Sequence, residues 1–265
     1  MVSKQIDKAV YGPVKSWRFG LSLGIDPIFE ISTCSFNCIY CQLGSIQRVT
    51  PDRKVYVPTQ KVLDDFKDVL NQGAEFDVIT FSGSGEPTLA TNLGEIIDGL
   101  KILAPGKPIL VLTNSTMLIL DDVRKNLQHA DRVIVKLDAG DDQTLRQMNR
   151  PAEGVTIQRI IEGIKEFKKS FTGELDVQTM IMPTNIEKIE SIAELLKEIS
   201  PHVVQLNTPL RPYPVQWVRD SRGNSLDKTE VETRTLRVIT PEEAKHVEET
   251  LREKTGLKIL SVYRE

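Results

Sequence analysis

Three cysteines, Cys34, Cys38 and Cys41, stand within eight residues of one another in the string CSFNCIYCQLG, and the rest of the 265-residue chain has none. An odd number cannot close into a set of disulfides. The spacing allows four kinds of chemistry or packing. Positions i, i+4 and i+7 form one stripe of a helix, which would simply bury three thiols. A structural zinc site takes four ligands in paired short motifs, whereas His129, His202 and His246 are scattered along the chain. Cys38 and Cys41 make a C-x-x-C pair of the type used in thiol redox chemistry. Soft thiolates also suit an iron–sulfur cluster. Three thiolates on a four-iron cube leave one iron open, and an open position marks a reactive metal over a structural one. An electron carrier would normally supply a fourth cysteine. Confinement of every cysteine to one loop favours the cluster.

The elements that must hold this loop follow from hydrophobic period. A short first strand is expected at 21–25, just before the cysteines, with Gly- and Pro-bearing turns around it. A helix starts near Thr59, its expected N-cap, and stops at Gly73. Strands are expected at 77–81, 108–113, 132–137, 177–182 and 203–207. Helices are expected between them, at 93–103, 118–128, 142–148, 155–169 and 187–199. Short β-branched strands alternating with helices predict a parallel sheet with helical crossovers. Six such units are enough for a partial barrel and fall short of the eight that close one. Residues 209–240 break the rhythm and carry Arg211, Arg219, Arg222, Arg234 and Arg237 beside Asp220, Asp227, Glu230 and Glu232. A loop of this length is functional or disordered. An extra strand is expected at 231–239, then a helix at 241–254 and an apolar stretch at 257–263. The whole chain, 1–265, reads as one domain, with a core at 20–208 and a substrate-side extension at 209–265.

Composition narrows the class. Hydrophobic residues make up 40% and charged residues 27%, a balance that excludes a disordered or collagen-like chain. The net charge of -3 gives no global drive toward nucleic acid. No apolar run approaches the roughly 18 residues of a membrane span, and the N-terminus lacks a signal peptide's apolar stretch. The expectation is a cytoplasmic protein without a membrane partner.

C-x-x-x-C-x-x-C after the first strand of a β/α fold, with the aromatic Tyr40 before the last cysteine, resembles the radical S-adenosylmethionine (radical SAM) superfamily. The resemblance implies a (β/α)6 partial TIM barrel with an N-terminal extension and C-terminal strand and helix additions. It implies a [4Fe-4S] cluster on Cys34, Cys38 and Cys41, with S-adenosylmethionine (SAM) chelating the unique iron. It implies reductive cleavage of SAM to a 5′-deoxyadenosyl radical that abstracts hydrogen from a substrate, with electrons from an external flavodoxin- or ferredoxin-type donor. In FSGSGEPTL, Ser84, Gly85 and Glu86 resemble the family's Gly-Gly-Glu element, which binds the methionyl amine. By themselves these residues read equally as a glycine-rich turn.

Thr113, Asn114 and Ser115 end the third strand, where they would face the cofactor or act as ordinary polar caps. Lys136 and Asp138 end the fourth, facing ribose or substrate, or forming a surface ion pair. Asn149-Arg150-Pro151 resembles an element of related enzymes, in which Arg150 would neutralise the methionyl carboxylate. Gln178, Met180 and Asn207 are expected to point inward. The strings YGPVKSWRFGLSLGIDP and VQLNTPLRP resemble small single-cluster proteins grouped with wyosine-type tRNA-modifying enzymes. This chain lacks the second N-terminal cysteine set of the archaeal wyosine synthases. A tRNA base, or a protein as in glycyl-radical activation, is therefore the substrate class implied. A non-enzymatic iron–sulfur module is the third reading, and the glycine-rich turn argues against it.

Overall fold

A computed structural model describes residues 8–219, 222 and 231–263. Asp220, Asp227 and Glu230 lie outside the described residues. The chain opens with a hairpin, β1 (Val10–Ser16) and β2 (Gly20–Ile25). Two short strands flank the cysteine loop, β3 (Thr33–Cys34) and β4 (Arg48–Val49). The alternating series follows: α1 (Thr59–Asn71), β5 (Val78–Phe81), α2 (Leu93–Leu103), β6 (Ile109–Thr113), α3 (Asp121–Leu127), β7 (Arg132–Lys136), α4 (Asp142–Met148), α5 (Ile157–Ser170), β8 (Glu174–Met180), α6 (Ile189–Ile199) and β9 (Val203–Asn207). Last come a two-residue pair, β10 (Tyr213–Pro214) and β11 (Thr233–Arg234), then α7 (Pro241–Thr255) and β12 (Ile259–Ser261).

One eight-stranded sheet runs β1-β2-β5-β6-β7-β8-β9-β12. Every neighbouring pair in it is parallel except β1 with β2. Each crossover is helical, so the sheet is a curled partial barrel. The expected elements appear, most within a residue or two, and four details differ. The N-terminal stretch expected to be turns forms edge strand β1 instead; Pro13 is tolerated because an edge strand needs no donor there, and the register shifts between Tyr11 and Val14. Thr59 is the first helical residue and Pro58 the cap. The Thr59 hydroxyl instead donates to Glu95 and accepts from Asn92, tying α1 to α2. The strand expected at 231–239 shrinks to Thr233–Arg234. The C-terminal segment adds β12 parallel to β9, so α7 closes a further β/α unit of the same sheet.

The two faces of the sheet differ in chemistry. Leu23, Ile79, Val111, Val133, Val177 and Val204 point outward and pack with the helices in one apolar core. Their alternates Ser22, Thr80, Lys136, Gln178 and Asn207 line the inside of the curl. The interior is thus mixed: Val78, Leu110 and Ile134 pack with Phe19 and Leu112 in a small apolar cluster on the inner face, and the polar residues stand beside it.

The cysteine loop has no extended ladder of its own and is held by its neighbours. Thr33 N donates to the Ser84 carbonyl at 3.1 Å, and Glu86 N donates to the Thr33 carbonyl at 3.1 Å, fixing the loop to the turn after β5. Asn37 N and Ile39 N donate to the Asn149 and Met148 carbonyls at the end of α4, both at 2.9 Å. Gly85 lies so close to this seam that an added Cβ would collide with the Thr33 carbonyl oxygen. Gly85→Ala should therefore lower stability by about 1–3 kcal/mol, the usual scale of overpacking, and reduce iron uptake. Denaturant unfolding of the two proteins measures this, and equal midpoints would contradict the seam.

Candidate functional site

The curl of the sheet encloses a cavity of about 520 Å³, a size that suits small-molecule ligands. It opens where parallel strands end, the usual ligand side of such folds. Cys34, Cys38 and Cys41 are all free, half-buried, and on its wall. No helix runs through residues 34–41, so the helical-stripe reading of the cysteines fails. Among the described residues no three His, Cys, Asp or Glu side chains converge as one metal ion requires. Thiolates on three different irons need no such single point, so the spacing fits a polynuclear cluster better than zinc.

Burial pushes all three thiols up. For Cys34 the charge of Glu86 adds to burial. Cys38 is pushed up to about 12 by burial, then by Cys41 and Asp138, against a lowering hydrogen bond from Asn149. Cys41 is raised by burial alone, against one backbone hydrogen bond. These are protonated thiols that iron would have to displace protons from. Two amides already address the sulfurs. Asn114 Nδ2 donates to Cys34 Sγ and Asn149 Nδ2 to Cys38 Sγ, each at 3.4 Å.

Glu86 is the most informative wall residue. It follows β5 and caps the 3-10 turn Pro87–Leu89. Its Oε1 accepts from Thr88 N at 3.0 Å, Thr88 Oγ1 at 2.6 Å and Thr113 Oγ1 at 2.6 Å. Its Oε2 accepts from Asn114 N at 2.7 Å. Burial still raises its pKa in spite of these bonds. Among the described residues no cation pairs with it. A buried carboxylate beside a thiol trio is a place built for positive charge, and an ammonium or sulfonium would supply it.

The expected site residues divide into two groups. Tyr40, Gly85, Glu86, Thr113 and Asn114 are on the cavity wall, as are Gln178, Met180 and Asn207. Ser84, Ser115, Asp138 and Arg150 are not. Ser84 turns its hydroxyl to Asp26 Oδ2 at 2.6 Å, which explains how serine replaces glycine there without entering the cavity. Ser115, at φ +75°, exchanges hydrogen bonds with the backbone of Lys136, joining the ends of β6 and β7. Asp138 lies behind the wall, accepting from Tyr40 Oη, from Asn149 Nδ2 at 2.8 Å and from Met180 N at 2.7 Å, and pairing with Lys136 at 3.2 Å. Within the Asn-Arg-Pro element, Asn149 meets Cys38, Tyr40 and Asp138, while the Arg150 side chain is exposed.

The arginine-rich segment is also divided. Arg222 is buried against Asp26 at 2.8 Å, and Arg219 lies over Phe29 and donates to the Glu30 carbonyl. Arg211 is exposed and on the cavity wall; Arg234 and Arg237 are exposed. Arg18, on the wall and held by the β1–β2 hairpin tip, was missed; its only signal was a charged residue between Trp17 and Phe19 in a turn.

Comparison with known proteins agrees with this geometry. The radical SAM superfamily profile matches residues 31–199. A UPF0026 protein of Synechocystis sp. is 52% identical over 219 residues, covering 82% of this chain and 81% of the relative. SuiB of Streptococcus suis, bound to the precursor peptide SuiA, superimposes with a TM-score of 0.62 at 14% identity, covering 92% of this chain. A radical SAM methyltransferase from Sphaerobacter thermophilus gives a TM-score of 0.61 at 16% identity over 91% of this chain. This chain spans 49% and 65% of those two solved chains. No helix among the described residues is long and apolar enough to cross a membrane. The chain belongs to the radical SAM superfamily, enzymes that use a [4Fe-4S] cluster and SAM, and within it to the UPF0026 proteins.

Proposed function

We propose that this protein generates a radical from SAM at its cysteine loop and directs it onto a substrate held in the curl of the sheet. The observation that carries the reading is the convergence of three thiols and an unpaired buried carboxylate on one wall of one cavity. Cys34, Cys38 and Cys41 would hold the [4Fe-4S] cluster. When bound, cluster and SAM supply one-electron cleavage of the sulfonium, giving methionine and a 5′-deoxyadenosyl radical that takes hydrogen from substrate. Glu86 would receive the methionyl ammonium, held ready by Thr88, Thr113 and Asn114. Asn114 and Asn149 would orient and stabilise two of the thiolates. Lys136, on the wall and partly neutralised by Asp138, is better placed than Arg150 to face a carboxylate. The electron would come from an external flavodoxin- or ferredoxin-type donor.

For the substrate, the likeness to wyosine-type proteins supports a tRNA base, with Arg211, Arg234 and Arg237 as the exposed cations. The peptide bound by SuiB supports the alternative of a protein substrate.

Anaerobic reconstitution should load about four irons per chain, and reductant should then release 5′-deoxyadenosine from SAM. Cys38→Ala should lose both; nucleoside release without Cys38 would refute the assignment, and iron without any nucleoside would make the protein a carrier. Glu86→Gln should keep its iron but bind SAM about tenfold more weakly or worse, since one charged hydrogen bond is lost. Equilibrium titration without reductant reads this, and unchanged affinity removes Glu86 from the site. Binding of tRNA should weaken with salt and again in Arg211→Ala. No binding at low salt would discard RNA in favour of a peptide.

A further inference from the structure

The cavity has a second charged feature that SAM chemistry leaves unused. Its wall carries the cations Lys15, Arg18, Lys136, Arg211 and Arg222 and one acid, Glu86. Lys136 is paired with Asp138, and Arg222 with Asp26. Among the described residues, Lys15, Arg18 and Arg211 have no carboxylate at ion-pair distance. Lys15 and Arg211 are exposed to solvent, where an unpaired cation costs little. Arg18 is different.

Arg18 is at the tip of the β1–β2 hairpin, at the opposite end of β2 from the cysteines. Six residues of strand separate the two ends, about 20 Å at 3.3 Å per residue. The tip is rigid. Ser16 Oγ accepts from Arg18 N and Phe19 N at 3.2 and 3.3 Å, and Phe19 packs on Val78, Leu110 and Ile134 inside the barrel. The guanidinium is stacked on Trp17 and Phe19, 5.3 and 5.6 Å from the ring centres. Arginine carries five N–H donors. Here the one that meets an acceptor goes to the neutral amide oxygen of Gln205, at 2.7 Å, and Nε is buried with no partner.

The nearest acid does not answer it. Asp176 stands beyond ion-pair distance of Arg18: its Oδ2 accepts from Arg132 at 2.7 Å and Gln205 at 2.8 Å, its Oδ1 is buried with no hydrogen-bond partner, and Arg132 also pairs with Glu174. Burial outweighs the pull of Asp176 and lowers the Arg18 pKa to about 10. Half-buried at the cavity wall, with no carboxylate at ion-pair distance among the described residues and with Nε unpartnered, Arg18 keeps donors that an anion in the cavity can meet. Its neighbours are polar, and their row leads back to Lys136, whose Nζ stands 5.2 Å from the Tyr40 ring of the cysteine loop. By strand register, Lys136, Gln178 and Gln205 form one row across β7, β8 and β9. Lys136 Nζ reaches Gln178 Oε1 at 3.3 Å at one end, and Arg18 reaches Gln205 at the other.

We propose that Arg18 is the anchor for an anionic group of the substrate, a phosphate or a carboxylate, seated at the far end of the cavity from the cysteine loop. This rests on the radical SAM reading for its meaning, but its test does not need radical chemistry. The step is binding only; no bond forms or breaks at Arg18.

The test is saturable binding of inorganic phosphate and of succinate to the full chain at low ionic strength, followed by calorimetry with chloride as the control. The cluster-loaded protein is titrated with and without SAM. One anion or both should bind stoichiometrically, and Arg18→Gln should weaken binding about tenfold or more. Gln178→Glu, which adds a fixed negative charge to the same wall and leaves the hairpin untouched, should weaken it as well. Circular dichroism and iron content confirm that each variant is folded. A preference for phosphate identifies a nucleotide or sugar phosphate group, and a preference for succinate a carboxylate-bearing substrate; both support the anchor. Absence of saturable binding, or equal affinity in both folded variants, would make Arg18 a brace across the barrel and overturn the proposal. If 5′-deoxyadenosine forms while anion binding ignores Arg18, only the anchor fails. If anion binding needs Arg18 while no nucleoside forms, only the radical reading fails.

Discussion

A carboxylate shut away from water has to be fully hydrogen-bonded, and Asp26 meets that demand by gathering three separate pieces of chain. Its Oδ1 accepts from Ile28 N and Phe29 N, turning the chain after β2 into the cysteine loop. Its Oδ2 accepts from Ser84 N and Oγ, fixing the glycine turn after β5, and from Arg222 of the C-terminal segment. Removing any one partner would leave a buried charge underserved, which costs more than the bond itself contributes. Loop, glycine turn and C-terminal segment are thus coupled through one atom group. The backbone seam between Thr33, Ser84 and Glu86 is the next consequence, because it can form only where Asp26 has brought the two turns together.

The same constraint accounts for the split personality of the sheet. Parallel strands covered by helices on both faces read as continuous apolar runs. Here only the outer face meets helices, and the inner face must be wetted or hold ligand. Apart from the cluster of Val78, Leu110 and Ile134 under Phe19, the inner-face residues are released from packing and can carry an amide, hydroxyl or ammonium. Lys136 between Val135 and Leu137 shows the switch most clearly: both neighbours are fully buried on the core side, and the lysine faces the cavity.

This pattern also explains what the sequence made legible. Strand and helix positions were readable because the outer face supplies a strong apolar period in every unit, and the clustered cysteines announced their own chemistry. β1 was not readable, since Gly12 and Pro13 signal a turn and only the free edge of the sheet makes them acceptable in a strand. β12 was visible as an apolar stretch, but its place beside β9 depends on long-range pairing. At the site, Glu86, Thr113 and Asn114 were expected to face the cofactor, and the local turn after β5 and the end of β6 put them on the cavity wall. Ser115, Asp138 and Arg150 stand off the cavity wall, because which neighbour in a polar run faces inward is decided by local register. Asp138 and Asn149 act from behind the wall, through Tyr40 and Cys38, which no spacing rule reveals. Arg219 and Arg222, two of the five arginines of the segment that breaks the β/α rhythm, are taken up in contacts with Phe29 and Asp26.

The cavity that results is electrically polarised. Among the described residues, Glu86 near the cysteine loop has no paired cation, and Arg18 on the hairpin side has no carboxylate at ion-pair distance. On the proposed function two ligands share this space, and SAM is the cationic one. Opposite unpaired charges at the two ends give each ligand a different well and penalise the exchanged arrangement, since a sulfonium beside Arg18 and an anion beside Glu86 would each meet like charge in a medium where screening is weak. On this reading order is written into the electrostatics of the empty fold, before shape is considered. A partial barrel can then remain laterally open and still present its two reactants in one sequence, with the radical source at the cysteine end and the atom to be attacked between the two charges.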